Sequence, residues 1–206
     1  MQHRIAEAHL FTVDRLIEEG IFKKVDSDRP NSPHGKQCVL ITCGDLNHRQ
    51  DQQTYWERKL TTKIHIHTPP GGAVEFSPLS PRNRKHPGDF QTRIRDLARI
   101  ITVQKPEHIL LVGHFPCGSA TSLDSLDPVA IAWHAKNAKQ AIIKTLASDP
   151  NIWQPKEADI SCYLHYFAGD ATTGNIIQER TMWFITHGLL EWVEKHDPTL
   201  KAGLLA

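Results

Sequence analysis

Four short apolar segments alternate with longer segments of helical periodicity, and this alternation constrains the fold more than any other feature. These segments cover residues 37–43, 63–67, 108–113 and 160–167, and each predicts a strand. The first, QCVLITC, is an apolar run between polar turns and predicts a strand buried on both faces, whereas Ile and His alternate in the second, KIHIH. Because strands that alternate with helices pair in parallel and lie beneath those helices, we expect an α/β fold with a mostly parallel sheet of four to five strands.

Helical spacing of apolar residues predicts the covering layers. Residues 3–27 predict a helix, so residues 1–30 are expected to form an N-terminal helical arm. Further helices are expected after Asp89, at about 127–148 and at about 177–196. A chain of 206 residues is long enough for one α/β domain and short for two, so residues 1–206 are expected to form a single domain.

The composition excludes several classes of function. The net charge is +1, and the basic, proline-rich insert loop expected at residues 77–89 carries no interleaved aromatic residues, so nucleic-acid binding is not expected. No apolar segment approaches the roughly 20 residues that span a bilayer. The first 20 residues have neither the charge pattern of a signal peptide nor that of a transit peptide. We therefore expect a cytoplasmic protein that does not enter membranes.

The cysteines point to metal or catalytic chemistry. Four cysteines are too few for a disulfide scaffold in a chain of this length, and in a reducing compartment clustered Cys and His side chains are metal ligands or catalytic groups. Cys38 and Cys162 lie inside predicted strands, so we expect them to be inert core thiols. Cys43 and Cys117 lie at strand ends, which makes them the candidates.

The candidate site lies where the predicted strands end. Cys43 ends the first strand, Gly71 and Gly72 follow the second, and His114 and Cys117 follow the third. Because ligands bind beyond the carboxyl ends of parallel strands, we expect these residues to meet. Two thiolates and one imidazole suit Zn²⁺, which takes a fourth ligand in tetrahedral geometry.

The fourth zinc position is open to two interpretations. Asp45 lies two residues after Cys43 and could bind the metal, or it could leave the position to water. Zinc lowers the pKa of a bound water to about 7 and so supplies hydroxide at neutral pH.

A family resemblance follows from an ordered set of motifs. These motifs are CGD at 43–45, GG at 71–72, EHILLVGH at 107–114, CG at 117–118, and the segments WHAKNAKQAIIKTLASDPNI and YLHYFAGDATTGNI. In this order they resemble the β-class carbonic anhydrases over roughly residues 37–178. The resemblance implies that fold, a homodimer or higher homo-oligomer, and the reversible hydration of carbon dioxide to bicarbonate.

The resemblance also implies roles for individual residues. Cys43, His114 and Cys117 would bind zinc, and Asp45 would either accept a hydrogen bond from zinc-bound water or ligate the metal. The glycines after the strand ends would lie beside the substrate; these are Gly71, Gly72 and Gly118.

One position departs from the family pattern. The family has an Arg two residues after the Asp and pairs the two side chains, whereas this chain has Asn47. Asn carries no charge and cannot form that pair. Arg49 is the expected replacement as a catalytic residue, and His48 is a second candidate.

Four other interpretations remain open. Cys43 and Arg49 fit the Cys-x5-Arg phosphate loop of cysteine phosphatases, although Asp45 would place a carboxylate in the anion cradle. The protein could be a non-catalytic zinc protein closed by Asp45, or a hydrolase of carbon disulfide or carbonyl sulfide on the same fold. Finally, Cys43, Cys117 and His114 could be ordinary core residues.

Overall fold

The computed structural model of the protein describes residues 7–25, 37–61, 64–115, 117, 127–149, 152, 154–168 and 179–205. Within these residues six strands form one sheet, in the order β1-β6-β5-β4-β2-β3. The strands are β1 (Phe22–Lys24), β2 (Cys38–Ile41), β3 (Ile64–His67), β4 (His108–Phe115), β5 (Ile160–Ala168) and β6 (Glu179–Ile185).

Helices connect and cover these strands. The helices within the described residues are α1 (Glu7–Glu18), α2 (Leu46–Leu60), α3 (Pro81–Lys85), α4 (Pro87–Gln104), α5 (Pro128–Leu146), α6 (Leu189–His196) and α7 (Pro198–Leu205). Two 3₁₀ turns, at Gly72–Phe76 and Glu157–Asp159, complete the described elements. None of the described helices has both the length and the apolar composition needed to cross a membrane.

The predicted α/β architecture with a mostly parallel sheet is confirmed. Strands β2, β3, β4 and β5 are mutually parallel, as the alternation of strands and helices predicts. Strands β6 and β1 extend the β5 edge in antiparallel pairing. The sheet therefore has six strands rather than four to five.

The additional strand β6 corrects the prediction of a helix at about 177–196. Residues 179–185 form a strand, and the helix α6 begins only at Leu189. Met182 and Ile185 are both buried, but they pack in different apolar clusters on opposite faces of the sheet. Their spacing of three residues imitates a helical repeat, whereas residues three apart in a strand point to opposite faces.

The predicted N-terminal helical arm is also wrong in part. The helix α1 ends at Glu18, Gly20 adopts a left-handed φ of +71°, and the chain then enters β1. Thr186 donates its N–H to the carbonyl of Ile21 at 3.0 Å, next to the antiparallel pairing of β1 with β6. Residues 1–6 and 26–30 of the predicted arm lie outside the described residues.

Residues 77–89 are largely helical and do not form the predicted insert loop. Ser80 caps the helix α3 by accepting a hydrogen bond from the N–H of Asn83 at 3.3 Å, and Pro81 takes the first helical position. Pro81 and Asn83 are buried, and Pro87 begins α4. The prolines therefore start helices here, which is compatible with their fixed φ angle.

Apolar side chains cover both faces of the sheet, as predicted. On one face, four helices contribute the buried residues Leu16, Leu97, Ile131 and Leu189. On the other face, the helix α2 buries Trp56 and Leu60 against Leu110 and Tyr163. The helix α2 is absent from the elements predicted from the sequence, because few of its residues are apolar.

Candidate metal centre

The candidate ligands lie at the carboxyl edge of the parallel strands. Cys43 lies two residues beyond the end of β2. His114 is the penultimate residue of β4, so it lies within this strand and not after it as predicted. Because β2 pairs in parallel with β4, with Ile41 opposite Leu111, both chain segments deliver their ligands to the same edge.

The three predicted ligands meet in one buried group. The sulfur atoms of Cys43 and Cys117 and an imidazole nitrogen of His114 all lie within 4.8 Å of one another. Cys43 is 2% exposed, and Cys117 and His114 are each 1% exposed. Two sulfur ligands around tetrahedral zinc lie about 3.8 Å apart, given zinc–sulfur bonds of about 2.3 Å. The spacing and chemistry of the group therefore fit a metal ion.

The thiol of Cys43 has a strongly lowered pKa. Its pKa lies at about 3 instead of 9.0, because a hydrogen bond with Cys117 favours the thiolate, while burial acts in the opposite direction. His114 and the backbone N–H of Asp45 lower this pKa further. At neutral pH Cys43 is therefore a thiolate, which is the form that binds metals.

Gly71 and Gly72 support Cys43 from the turn that follows the neighbouring strand β3. The N–H of Gly71 donates a hydrogen bond to the Cys43 sulfur at 3.2 Å. A Cβ at Gly72 would lie 2.7 Å from the backbone nitrogen of Cys43 and 2.9 Å from the carbonyl oxygen of Val112. Both glycines have left-handed φ angles, +84° and +60°. The pair therefore lets the backbone approach the ligand where a side chain would not fit.

Two of the remaining predicted site residues, Asp45 and Arg49, lie at the start of α2. Asp45 is partly exposed, and its carbonyl oxygen accepts a hydrogen bond from the N–H of Arg49 at 2.8 Å in the first turn of the helix. The carboxylate of Asp45 is not a member of the group of three ligands. The side chains of Asn47 and His48, and the whole of Gly118, lie outside the described part of the chain.

A buried polar chain next to His114 includes residues that were not predicted from the sequence. Thr42 donates its hydroxyl hydrogen to the amide oxygen of Gln52, and the Gln52 amide nitrogen lies 3.2 Å from Nδ1 of His165. His165 pairs with His114 across β4 and β5. Burial, followed by the charge of His114, lowers the pKa of His165 to about 4, so this imidazole is neutral and Nδ1 accepts the bond.

A sequence signal for this polar chain does exist. Gln52, Trp56 and Leu60 recur every four residues, and all three are fully buried. A polar residue in phase with two large apolar residues indicates a helix whose inner face carries a hydrogen-bonding group.

The fold and the site together define an α/β protein with a buried Cys-His-Cys group at the carboxyl edge of a parallel sheet, and this group could hold a metal ion. No known family model matches the chain, and neither does any curated protein. A solved carbonic anhydrase from Streptococcus mutans aligns over 90% of this chain and 100% of its own, with a TM-score of 0.38 and 13% sequence identity. Function is therefore inferred from the geometry of the side chains.

Proposed function

We propose that the protein is a zinc enzyme that hydrates carbon dioxide reversibly to bicarbonate, as carbonic anhydrases do. The observation that carries the proposal is the group of two cysteines and one histidine within 4.8 Å at a buried strand edge. Sulfur and nitrogen donors in this number select zinc over harder cations and leave one coordination position for chemistry. Zinc held in this way supplies a Lewis acid that activates water for attack on carbon dioxide.

The protein residues then have distinct proposed roles. Cys43, His114 and Cys117 hold the metal, and the buried thiolate charges offset the charge of the ion. Asp45 would either orient the reacting water or occupy the fourth zinc position and exclude water. Arg49 would pair with Asp45 and hold it off the metal, which is the role of the family's Arg at the position of Asn47. Arg49→Ala should therefore lower turnover by leaving Asp45 on the metal, whereas unchanged turnover would remove Arg49 from the site.

Gly71, Gly72 and Gly118 are proposed to border the substrate. The nitrogen of Gly71 lies 3.2 Å from the Cys43 sulfur, which supports a place for this turn beside the metal. We also propose a cytoplasmic homodimer, and sedimentation analysis of the purified protein tests the dimer directly.

A non-catalytic zinc protein is the second candidate, and Asn47 is the residue that favours it. Without a cationic partner, Asp45 would remain on the metal and exclude water. One purified sample separates the two candidates. Zinc stoichiometry is measured by elemental analysis, and carbon dioxide hydration is measured by stopped flow across pH. One zinc per chain with accelerated hydration supports the enzyme, and one zinc without acceleration supports the second candidate.

The phosphatase interpretation makes a different prediction. Its thiolate needs access to a phosphate ester, but Cys43 is 2% exposed and lies within 4.8 Å of the other two ligand groups. Hydrolysis of an aryl phosphate by metal-free protein, abolished in Cys43→Ser, would support the phosphatase. We expect no such hydrolysis.

A further inference from the structure

A buried carboxylate lies behind the candidate metal centre. Glu75 belongs to the 3₁₀ turn that follows Gly71, and its side chain is 4% exposed. Its Cγ and Oε1 atoms lie 3.2 and 3.3 Å from the place where a Cβ of Gly71 would be, so the side chain packs directly on this glycine. The N–H of the same glycine donates to the Cys43 sulfur. Gly71 therefore contacts both Glu75 and the candidate ligand Cys43.

Arg93 of α4 forms an ion pair with this carboxylate. Its guanidinium lies 3.0 Å from Oε2 of Glu75, and the Arg93 side chain is only 13% exposed. Arg82 contributes a longer contact of 3.8 Å to the same oxygen. A buried carboxylate without such partners would cost several kcal/mol in lost hydration. The location of the Glu75 side chain thus depends on the location of Arg93.

Asn83 ties the same arginine to the backbone of the turn. The amide nitrogen of Asn83 donates to the carbonyl oxygens of Glu75 and Ser77, both at 2.8 Å. Its amide oxygen accepts a hydrogen bond from Arg93 at 2.8 Å. Arg93 therefore contacts the turn twice, once through the Glu75 carboxylate and once through Asn83. Residues 75–93 supply this network, and they include the segment that was predicted to be a basic insert loop.

The pKa of Glu75 reflects both its burial and the charges around it. Burial raises the pKa of Glu75, while Arg93 and Arg82 oppose the increase. The charge of Asp89 adds to the increase, and the charge of Cys43 contributes least.

We propose that Glu75 and Arg93 are positioning residues of the metal centre. Their ion pair fixes the turn at Gly71, so that its N–H points at the Cys43 sulfur and holds this ligand for the metal. The inference rests on the metal binding in the proposed function, but it does not require the hydration of carbon dioxide. Outer-shell groups of this kind orient metal ligands in many proteins, and their loss typically weakens metal affinity roughly 10- to 100-fold.

The test uses the variants Glu75→Gln, Arg93→Met and the double variant, with Arg99→Met as the matched control. Arg99 lies on the same helix but is 74% exposed and pairs only with the exposed Asp96 among the contacts described. Zinc affinity is measured by competition with a chromophoric chelator. We expect each single variant to weaken zinc binding roughly tenfold. The fold-loss of zinc affinity in the double variant should be smaller than the product of the fold-losses in the two single variants, because the residues act as a pair. The control should match the wild type.

A second measurement distinguishes positioning from general destabilisation. Hydrogen exchange of the Gly71 amide is followed in metal-free protein, with the amides of β4 as an internal reference. We expect the Gly71 amide to exchange faster in Glu75→Gln and Arg93→Met while the β4 amides keep their protection. Equal acceleration of all these amides, or wild-type zinc affinity in both single variants, would overturn the proposal. If Arg93→Met fails to fold, Arg93→Lys keeps the charge but loses the two-pronged contact, and the same two criteria apply.

The outcomes separate this inference from the proposed function. A wild type that binds zinc without hydrating carbon dioxide, together with weakened zinc binding in the variants, removes the enzyme but retains the positioning role. An active wild type with unaffected variants removes only the positioning role. A wild type that binds no zinc overturns both.

Discussion

Gly72 allows a sharp test of how the fold builds the candidate metal centre. In Gly72→Ala the new Cβ would lie 2.7 Å from the Cys43 nitrogen, 2.9 Å from the Val112 carbonyl oxygen and 3.0 Å from the carbonyl carbon of Thr42. All three atoms belong to backbone, so no side-chain rotation relieves the contacts. Either the turn at Gly72 or the backbone around it must therefore shift, and that backbone belongs to the two segments that carry Cys43 and His114.

The expected loss of stability in Gly72→Ala has two parts. The φ angle of +60° is unfavourable for alanine and costs about 1–2 kcal/mol. Overpacking against fixed neighbours costs about 1–3 kcal/mol more. Gly72→Ala should therefore lower the free energy of unfolding by about 2–5 kcal/mol.

The control Gly20→Ala isolates the first part. Gly20 has a φ of +71°, but a Cβ added there would meet no atom within 4 Å apart from its local neighbours. This variant should lose only about 1–2 kcal/mol. Urea unfolding of both variants, with and without zinc, measures the two costs. Gly72→Ala should also lose part of the stabilisation by zinc, and a tenfold weaker affinity corresponds to about 1.4 kcal/mol at saturating metal. Equal destabilisation of the two variants would refute the reasoning.

Three further predictions follow from other contacts. Cys117→Ser should lose zinc, and its free energy of unfolding should no longer rise when zinc is added. Full metal occupancy of this variant in elemental analysis would contradict the ligand assignment. Gly113→Ala should cost about 1–3 kcal/mol, because its Cβ would lie 2.6 Å from Cγ2 of Ile131; in Gly113→Ala/Ile131→Ala the two losses should not add, and additive losses in urea unfolding would show that the contact is absent. Burial first, and then the charge of Arg84, lowers the pKa of His134 from 6.5 to about 3. Below about pH 6.5 the unfolded chain binds a proton at His134, whereas the folded chain binds it only below about pH 3. The free energy of unfolding therefore falls on acidification through this window, by up to about 1.4 kcal/mol per pH unit. His134→Gln should flatten the stability–pH profile between about pH 6 and 4 by roughly this slope, and an unchanged profile would show that His134 is not buried in its neutral form.

Parts of the candidate site followed from local patterns. Cys43, His114 and Cys117 could be predicted together because each stands at a strand end that the apolar segments mark, and parallel strands bring such ends to one edge. The strands β2, β4 and β5 could be predicted from their mainly apolar segments. The strand β3 could be predicted from the alternation of Ile and His at 64–67, and all four of its residues are partly exposed.

Other elements could not be predicted because their patterns are ambiguous. In the segment that became β6, the spacing of Met182 and Ile185 suits a helix as well as a strand. Its antiparallel pairing with β5 decided between the two, since it satisfies the backbone hydrogen bonds of both strands. The helix α2 has few apolar residues, so its burial of Gln52 and Trp56 depends on the sheet it covers.

By itself, the sequence determined which side chains could serve as metal ligands and on which edge of the sheet they would stand, because both follow from residue type and from the period of apolar residues along each strand. Only the tertiary structure decided that Gly71 donates to the Cys43 sulfur and that Glu75, Arg93 and Asn83 hold this turn. The physical reason is that these contacts join residues from separate elements. Their distances depend on how the helices pack on the sheet, and no local pattern in the chain encodes that packing.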